Sequence, residues 1–125
     1  VKLRKGKIAD VVFLEPKASA NHIFSRIVIP RLGNPILGTM LARQGYKVRV
    51  IAEEVTPIRM ADVLSADLVC ISSITSTAVN AYHWADAVRA AGIPVVMGGV
   101  HPTFCAEEAL SHADYVIRGE GEGAM

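Results

Sequence analysis

Residues Leu68–Gly92, LVCISSITSTAVNAYHWADAVRAAG, contain one full unit of the fold. Leu68–Ser72 is a short apolar run of the kind that forms a buried strand. Val79, Tyr82, Ala85 and Val88 then recur at helical spacing, which predicts a helix over Thr77–Ala91 with one apolar face and Gly92 as its stop. Between strand and helix lies Ser72–Thr77, with five hydroxyls in six residues.

The same unit repeats outward in both directions. Upstream, Ile8–Leu14 (IADVVFL) reads as a first strand and Lys47–Ala52 (KVRVIA) as a second. A long loop, Glu15 to Pro35, separates the first strand from a helix that begins after Asn34-Pro35. Asparagine is a good cap and proline is tolerated in a first turn. Ile36, Leu37, Met40 and Leu41 carry that helix to a stop at Gln44-Gly45, and a short helix around Arg59–Leu64 precedes the third strand. Downstream, Pro94–Met97 is a fourth strand, Cys105–Ser111 a short helix and Asp114–Ile117 a fifth strand. Strands alternating with helices predict an α/β fold: a three-layer, doubly wound parallel sheet of five strands. Because the count stops at five, the flavodoxin-like order 2-1-3-4-5 is favoured among Rossmann-like arrangements.

Composition sets the outer bounds. At 125 residues the chain makes one domain, and 51% hydrophobic against 20% charged residues describes a packed one. A formal net charge of +1 argues against nucleic acid, which needs a clustered basic surface. Mean hydropathy is +0.34, yet no apolar run approaches the roughly 20 residues of a membrane span. With no secretory pattern either, the expected location is the cytoplasm. Cys70 and Cys105 form no disulfide framework and are expected to be reduced. The chain starts at Val1 and stops after a glycine-rich loop at Met125, so it is expected to be one domain of a longer protein.

Ligands of such sheets bind beyond the carboxyl ends of the strands. Four loops fall there: Glu15–Pro35, Ser72–Thr77, Gly98–Thr103 (GGVHPT) and Arg118–Glu122 (RGEGE). The hydroxyls of Ser72, Ser73, Thr75, Ser76 and Thr77 exceed what capping one helix requires. Gly98-Gly99 allows a close approach of ligand to main chain, or simply a tight turn. His101 with Cys105 supplies two ligands, which do not make a zinc site, and no metal is expected there. The RGEGE stretch lacks the position of a dinucleotide fingerprint and the Lys-Ser/Thr of a Walker loop. No catalytic set emerges. Glu107, Glu108 and Asp114 read as helix and strand-end charges, and His83 and Trp84 as core or rim.

Taken in order, Pro30, Asn34–Gly38, Leu41-Ala42, Gly45–Val48, Ser72–Thr77, Val96–Thr103 and Asp114–Glu122 resemble the N-terminal cobalamin-binding domain of class B radical SAM enzymes. That group includes cobalamin-dependent methyltransferases and anaerobic magnesium-protoporphyrin ester cyclases. The resemblance runs from about Ile8 to Glu122, and its specific part is the pairing of GGVHPT with RGEGE. It implies a flavodoxin-like domain that binds cobalamin at the carboxyl edge, with the nucleotide tail entering the sheet region. Ser72, Ser73, Thr75, Ser76, Thr77, Gly98, Gly99, Val100, His101 and Thr103 would line the tail, and Gly119, Glu120 and Gly121 would flank tail or corrin. Gly99→Val is expected to abolish cobalamin uptake while leaving the fold intact.

Two departures qualify the resemblance. Methionine synthase-like domains carry Asp-x-His-x-x-Gly after the first strand, whereas here His22 stands in Ala20–Ser25 without that aspartate or glycine. The implied state is base-off, with no histidine on cobalt. The Cys-x-x-x-Cys-x-x-Cys motif for a 4Fe-4S cluster is also absent, so S-adenosylmethionine and the cluster would belong to a C-terminal radical SAM domain, and this chain alone would not be catalytic. The alternatives are a flavodoxin-type electron carrier, a stand-alone corrinoid shuttle and a ligand-free sensor or interaction domain.

Overall fold

The computed structural model describes residues 9–18 and 33–119. Its strands are β1 (Asp10–Glu15), β2 (Lys47–Ala52), β3 (Leu68–Ser72), β4 (Val95–Gly98) and β5 (Tyr115–Val116). All pair in parallel, in the order β2-β1-β3-β4-β5. The helices are α1 (Gly33–Arg43), α2 (Met60–Val63), α3 (Ala78–Ala90), α4 (Val100–Phe104) and α5 (Ala106–Leu110).

Alternation along the strands divides the interior in two. Val12 and Leu14 of β1 point to one face, where Val69, Ile71, Val95 and Met97 meet Val63, the α3 residues Ala78, Ala81, Tyr82, Ala85 and Val88, and Ala109 of α5. Val11 and Phe13 point to the other, with Cys70, Val96 and Leu41 of α1. Both faces being covered explains why the central strands read as unbroken apolar runs. At Gly38 an added Cβ would stand 3.1 Å from Val48 and 3.2 Å from Val50, so glycine sets how closely α1 lies on β2.

Several details differ from the sequence reading. Asp10 is the first residue of β1, and the fifth strand shortens to two residues. Val79 lies 57% exposed, while Ala78 and Ala81 share the buried face with Tyr82, Ala85 and Val88. Alanines carry little pattern signal, yet they let α3 lie close to the sheet. Ile36 is likewise exposed, and Asn34 and Gly38 are buried in its place. GGVHPT is more than a turn: Val100–Phe104 forms a helical turn of its own. Among the described residues no helix is long and apolar enough to cross a membrane.

The amino edge is tied by charge. Asp67 accepts the N–H groups of Ala9 and Asp10, each at 2.9 Å, which holds its carboxyl below the usual aspartate range. Arg49 reaches Asp10 at 3.3 Å and the Asp62 carbonyl at 2.6 Å. A groove of about 530 Å³ before β4 is lined by Asp86, Arg89, Ala90, Gly92, Ile93, Pro94 and Asp114. It lies opposite the carboxyl edge, and the Arg89–Asp114 pair crosses it at 3.6 Å.

Candidate cofactor-binding edge

Register places Ser72 beside Gly98 and Met97 beside Val116, so the turns after β3, β4 and β5 start side by side. Backbone bonds then knit them. The Ser73 N–H donates to the Gly98 carbonyl at 3.1 Å, and the His101 N–H donates to the Ser73 carbonyl at 3.2 Å. The Thr103 hydroxyl donates to the Gly99 carbonyl at 2.7 Å and accepts the Gly119 N–H at 3.0 Å. Arg118 Nε donates to the Thr103 carbonyl at 3.1 Å. Thr103 is thus the link between the β4 and β5 turns.

Gly99 is required by this arrangement. Its φ of 101° with ψ of −173° is open almost only to glycine, and a Cβ there would stand 2.6 Å from the Ser73 carbonyl oxygen. The contact is made to the protein's own backbone. This corrects the expectation that Gly99→Val would spare the fold.

The five hydroxyls divide by role. Thr77 Oγ1 accepts the Ile74 N–H at 3.0 Å and caps the short 3-10 turn Thr75–Thr77 that leads into α3. Thr75 Oγ1 lies 3.2 Å from His101 Nδ1. Ser73 is fully buried, and its hydroxyl has no hydrogen-bond partner among the described residues. Ser72 is half-buried and Ser76 exposed. Gly98 ends β4, and Val100 stands exposed at the start of α4. His22, Glu120 and Gly121 lie outside the described residues, as does most of the Glu15–Pro35 loop. Of that loop, the Lys17 N–H donates to Glu53, and Asn80 of α3 donates to both the Lys17 carbonyl and Glu53. Asn34 donates to the Leu14 carbonyl at 3.2 Å, which brings the start of α1 to the same edge.

The sequence reading missed one partnership. His101 Nε2 lies 2.7 Å from Glu108 Oε2, and the Tyr82 hydroxyl donates to the same oxygen at 2.8 Å. Glu108 is therefore more than a helix-end charge: its carboxylate stands beside His101. The bonds from His101 and Tyr82 hold the Glu108 carboxyl below the usual glutamate range, while burial and the nearby carboxylate push the Tyr82 phenol up. The available signal was the short 101, 105, 108 spacing. Cys105, where the chain breaks between α4 and α5, obscured it.

The arrangement defines a doubly wound α/β domain whose described carboxyl edge brings together hydroxyls, glycine backbone and an imidazole. Within that class, residues 25–125 match the model of the B12 binding domain, and the chain belongs to that family. It is 32% identical over 111 residues to bacteriochlorophyllide d C-12(1)-methyltransferase of Chlorobaculum tepidum, covering 89% of this chain and 24% of that protein. It is 46% identical over 56 residues to bacteriochlorophyllide d C-8(2)-methyltransferase of the same organism, covering 45% of this chain and 12% of that one. The chain therefore spans about a quarter or less of the curated relatives it matches. No solved structure matches it significantly.

Proposed function

We propose that this chain is the cobalamin-holding domain of a longer cobalamin-dependent radical SAM methyltransferase. The observation that carries the reading is the joined rim of the β3, β4 and β5 turns, with the buried Ser73 hydroxyl left without a partner inside it. An unmet buried hydroxyl costs about 1–3 kcal/mol, so a ligand polar group that reached it would recover that cost. A large cofactor fringed with amides suits a rim of hydroxyls and main-chain groups. A phosphate on its tail would gain about 1.5–3 kcal/mol from each main-chain N–H bond.

Cobalamin, when bound, supplies a cobalt that accepts a methyl group and hands it on. The chain's own part is to hold and orient. Ser72, Ser73, Thr75 and Ser76 would offer hydroxyls along the tail, with Thr77 capping the turn that presents them; Gly98–Thr103 would line it, and Gly119, Glu120 and Gly121 would flank tail or corrin. The sequence after β1 lacks the Asp-x-His-x-x-Gly motif, so no histidine of this chain would be assigned to the cobalt. Methyl transfer, rather than cyclisation, is favoured because both relatives are methyltransferases. The radical SAM domain, its S-adenosylmethionine and its 4Fe-4S cluster are assigned to the remainder of the longer protein, on the pairing of GGVHPT with RGEGE. The fold that holds these residues has no membrane-crossing helix among its described parts, in keeping with a cytoplasmic enzyme.

An absorption titration with hydroxocobalamin tests the reading. The full-length protein is expected to bind tightly and this chain weakly. A full-length protein that took FMN and ignored cobalamin would overturn it in favour of an electron carrier.

A further inference from the structure

Beside the proposed cofactor loop, and sharing His101 with it, the rim carries a second donor set. His101, Cys105 and Glu108 bring one imidazole nitrogen, one sulfur and one carboxylate oxygen to within 4.8 Å of one another. A tetrahedral zinc with bonds of roughly 2.0–2.3 Å places its ligands roughly 3.3–3.8 Å apart. Small side-chain shifts close this triangle to that size, including a lengthening of the 2.7 Å His101–Glu108 contact.

We infer that His101, Cys105 and Glu108 form a zinc-type site at the α4–α5 junction, with the fourth position open to water. Three features beyond proximity support it. The residues come from α4, the break at Cys105 and α5, so the site is built where the chain turns between two helices. Each end of the set is already oriented by an outer partner: Thr75 Oγ1 sits 3.2 Å from His101 Nδ1, and Tyr82 donates to Glu108 at 2.8 Å. Tyr82 is itself fixed by stacking on His112, with ring centroids 4.2 Å apart. Such outer-shell bonds fix ligand orientation and are characteristic of built metal sites.

The proton accounting is simple. Zinc on His101 Nε2 puts the ring proton on Nδ1, where the Thr75 oxygen accepts it, and the Cys105 thiol releases its proton to water. A mixed nitrogen, sulfur and oxygen set selects zinc over magnesium or calcium, which take oxygen ligands. The site would clamp α4 to α5 and so steady the turn that begins at Gly99.

The test is titration of zinc into the reduced, chelator-treated chain against a competing indicator, with cobalt(II) in parallel as an optical probe. One zinc per chain is expected, together with a sulfur-to-cobalt charge-transfer band that Cys105→Ser removes. Cys105→Ser and His101→Gln should each weaken zinc by more than about 100-fold, and Tyr82→Phe by about 10-fold, the size of an outer-shell loss. Asp62→Asn, which alters the distant Arg59–Asp62 pair, should leave affinity unchanged. Circular dichroism of Cys105→Ser, a nearly isosteric change, guards against misfolding. Zinc binding equal in the parent chain and Cys105→Ser, or a cobalt spectrum without the sulfur band, would overturn the site and leave only a His–Glu hydrogen bond.

Discussion

Replacing Gly99 by alanine separates a glycine needed by the protein's own packing from one kept only for a ligand. The backbone there has φ 101° and ψ −173°, a region that costs a non-glycine residue of order 1–3 kcal/mol. The new Cβ would also lie 2.6 Å from the Ser73 carbonyl oxygen and 3.1 Å from its nitrogen. Relieving that overlap stretches the Ser73–Gly98 and His101–Ser73 backbone bonds, each worth about 0.5–1.5 kcal/mol net. Together these give a loss of about 3 kcal/mol, a large share of the roughly 5–15 kcal/mol that holds a domain folded. At roughly 3–6 °C per kcal/mol for a chain of this size, Tm should fall by about 10–15 °C. Gly98→Ala is the internal control. Its Cβ would meet only the Ile117 oxygen at 3.7 Å, so its effect should stay within about 1 kcal/mol. Thermal denaturation of both variants decides the matter, and a Gly99→Ala melt no lower than that of Gly98→Ala would refute the reasoning.

The other predictions concern charge and thiols. The Asp67 carboxyl is held below its ordinary value of 3.8 by the Ala9 and Asp10 amides, so its ionised form is favoured in the native state. The stability it contributes is present above pH 3.8 and lost as pH falls through the depressed native value. Asp67→Asn should therefore flatten the acid limb of a plot of Tm against pH, and an unchanged limb would remove this tie from the account. Cys70 is buried, which pushes its thiol up to about 12, while Cys105 is half-exposed. In the metal-free native chain, iodoacetamide should modify Cys105 first and reach Cys70 only on unfolding; mass spectrometry showing equal rates would contradict that burial.

The sheet was legible because strands covered on both faces leave apolar runs that no polar residue interrupts, as in Leu68–Ile71 and Val95–Met97. Gly45 and Gly92, with φ of 96° and 83°, marked the ends of α1 and α3 where the sequence placed them. Harder to read was α3, where the buried stripe runs through Ala78 and Ala81 while the more hydrophobic Val79 faces water. Close helix-to-sheet approach rewards small side chains that a hydrophobicity pattern overlooks. At the candidate edge, spacing located the serines, the glycine pair and His101, because each follows a strand directly. Partners arriving from elsewhere in the chain left no local trace. Tyr82 reaches Glu108 across 26 residues, and Thr103 reaches Gly119 across 16.

Hydrogen–deuterium exchange of the full-length protein with and without cobalamin addresses the seat of the cofactor itself. Slowed exchange at the amides of Ser73–Thr77, Gly99–Thr103 and Gly119, with none at the groove formed by Asp86, Arg89 and Asp114, is the predicted pattern. Protection centred on that groove, with the turns after β3 and β4 unchanged, would place the cofactor at the wrong end of the sheet and contradict the account.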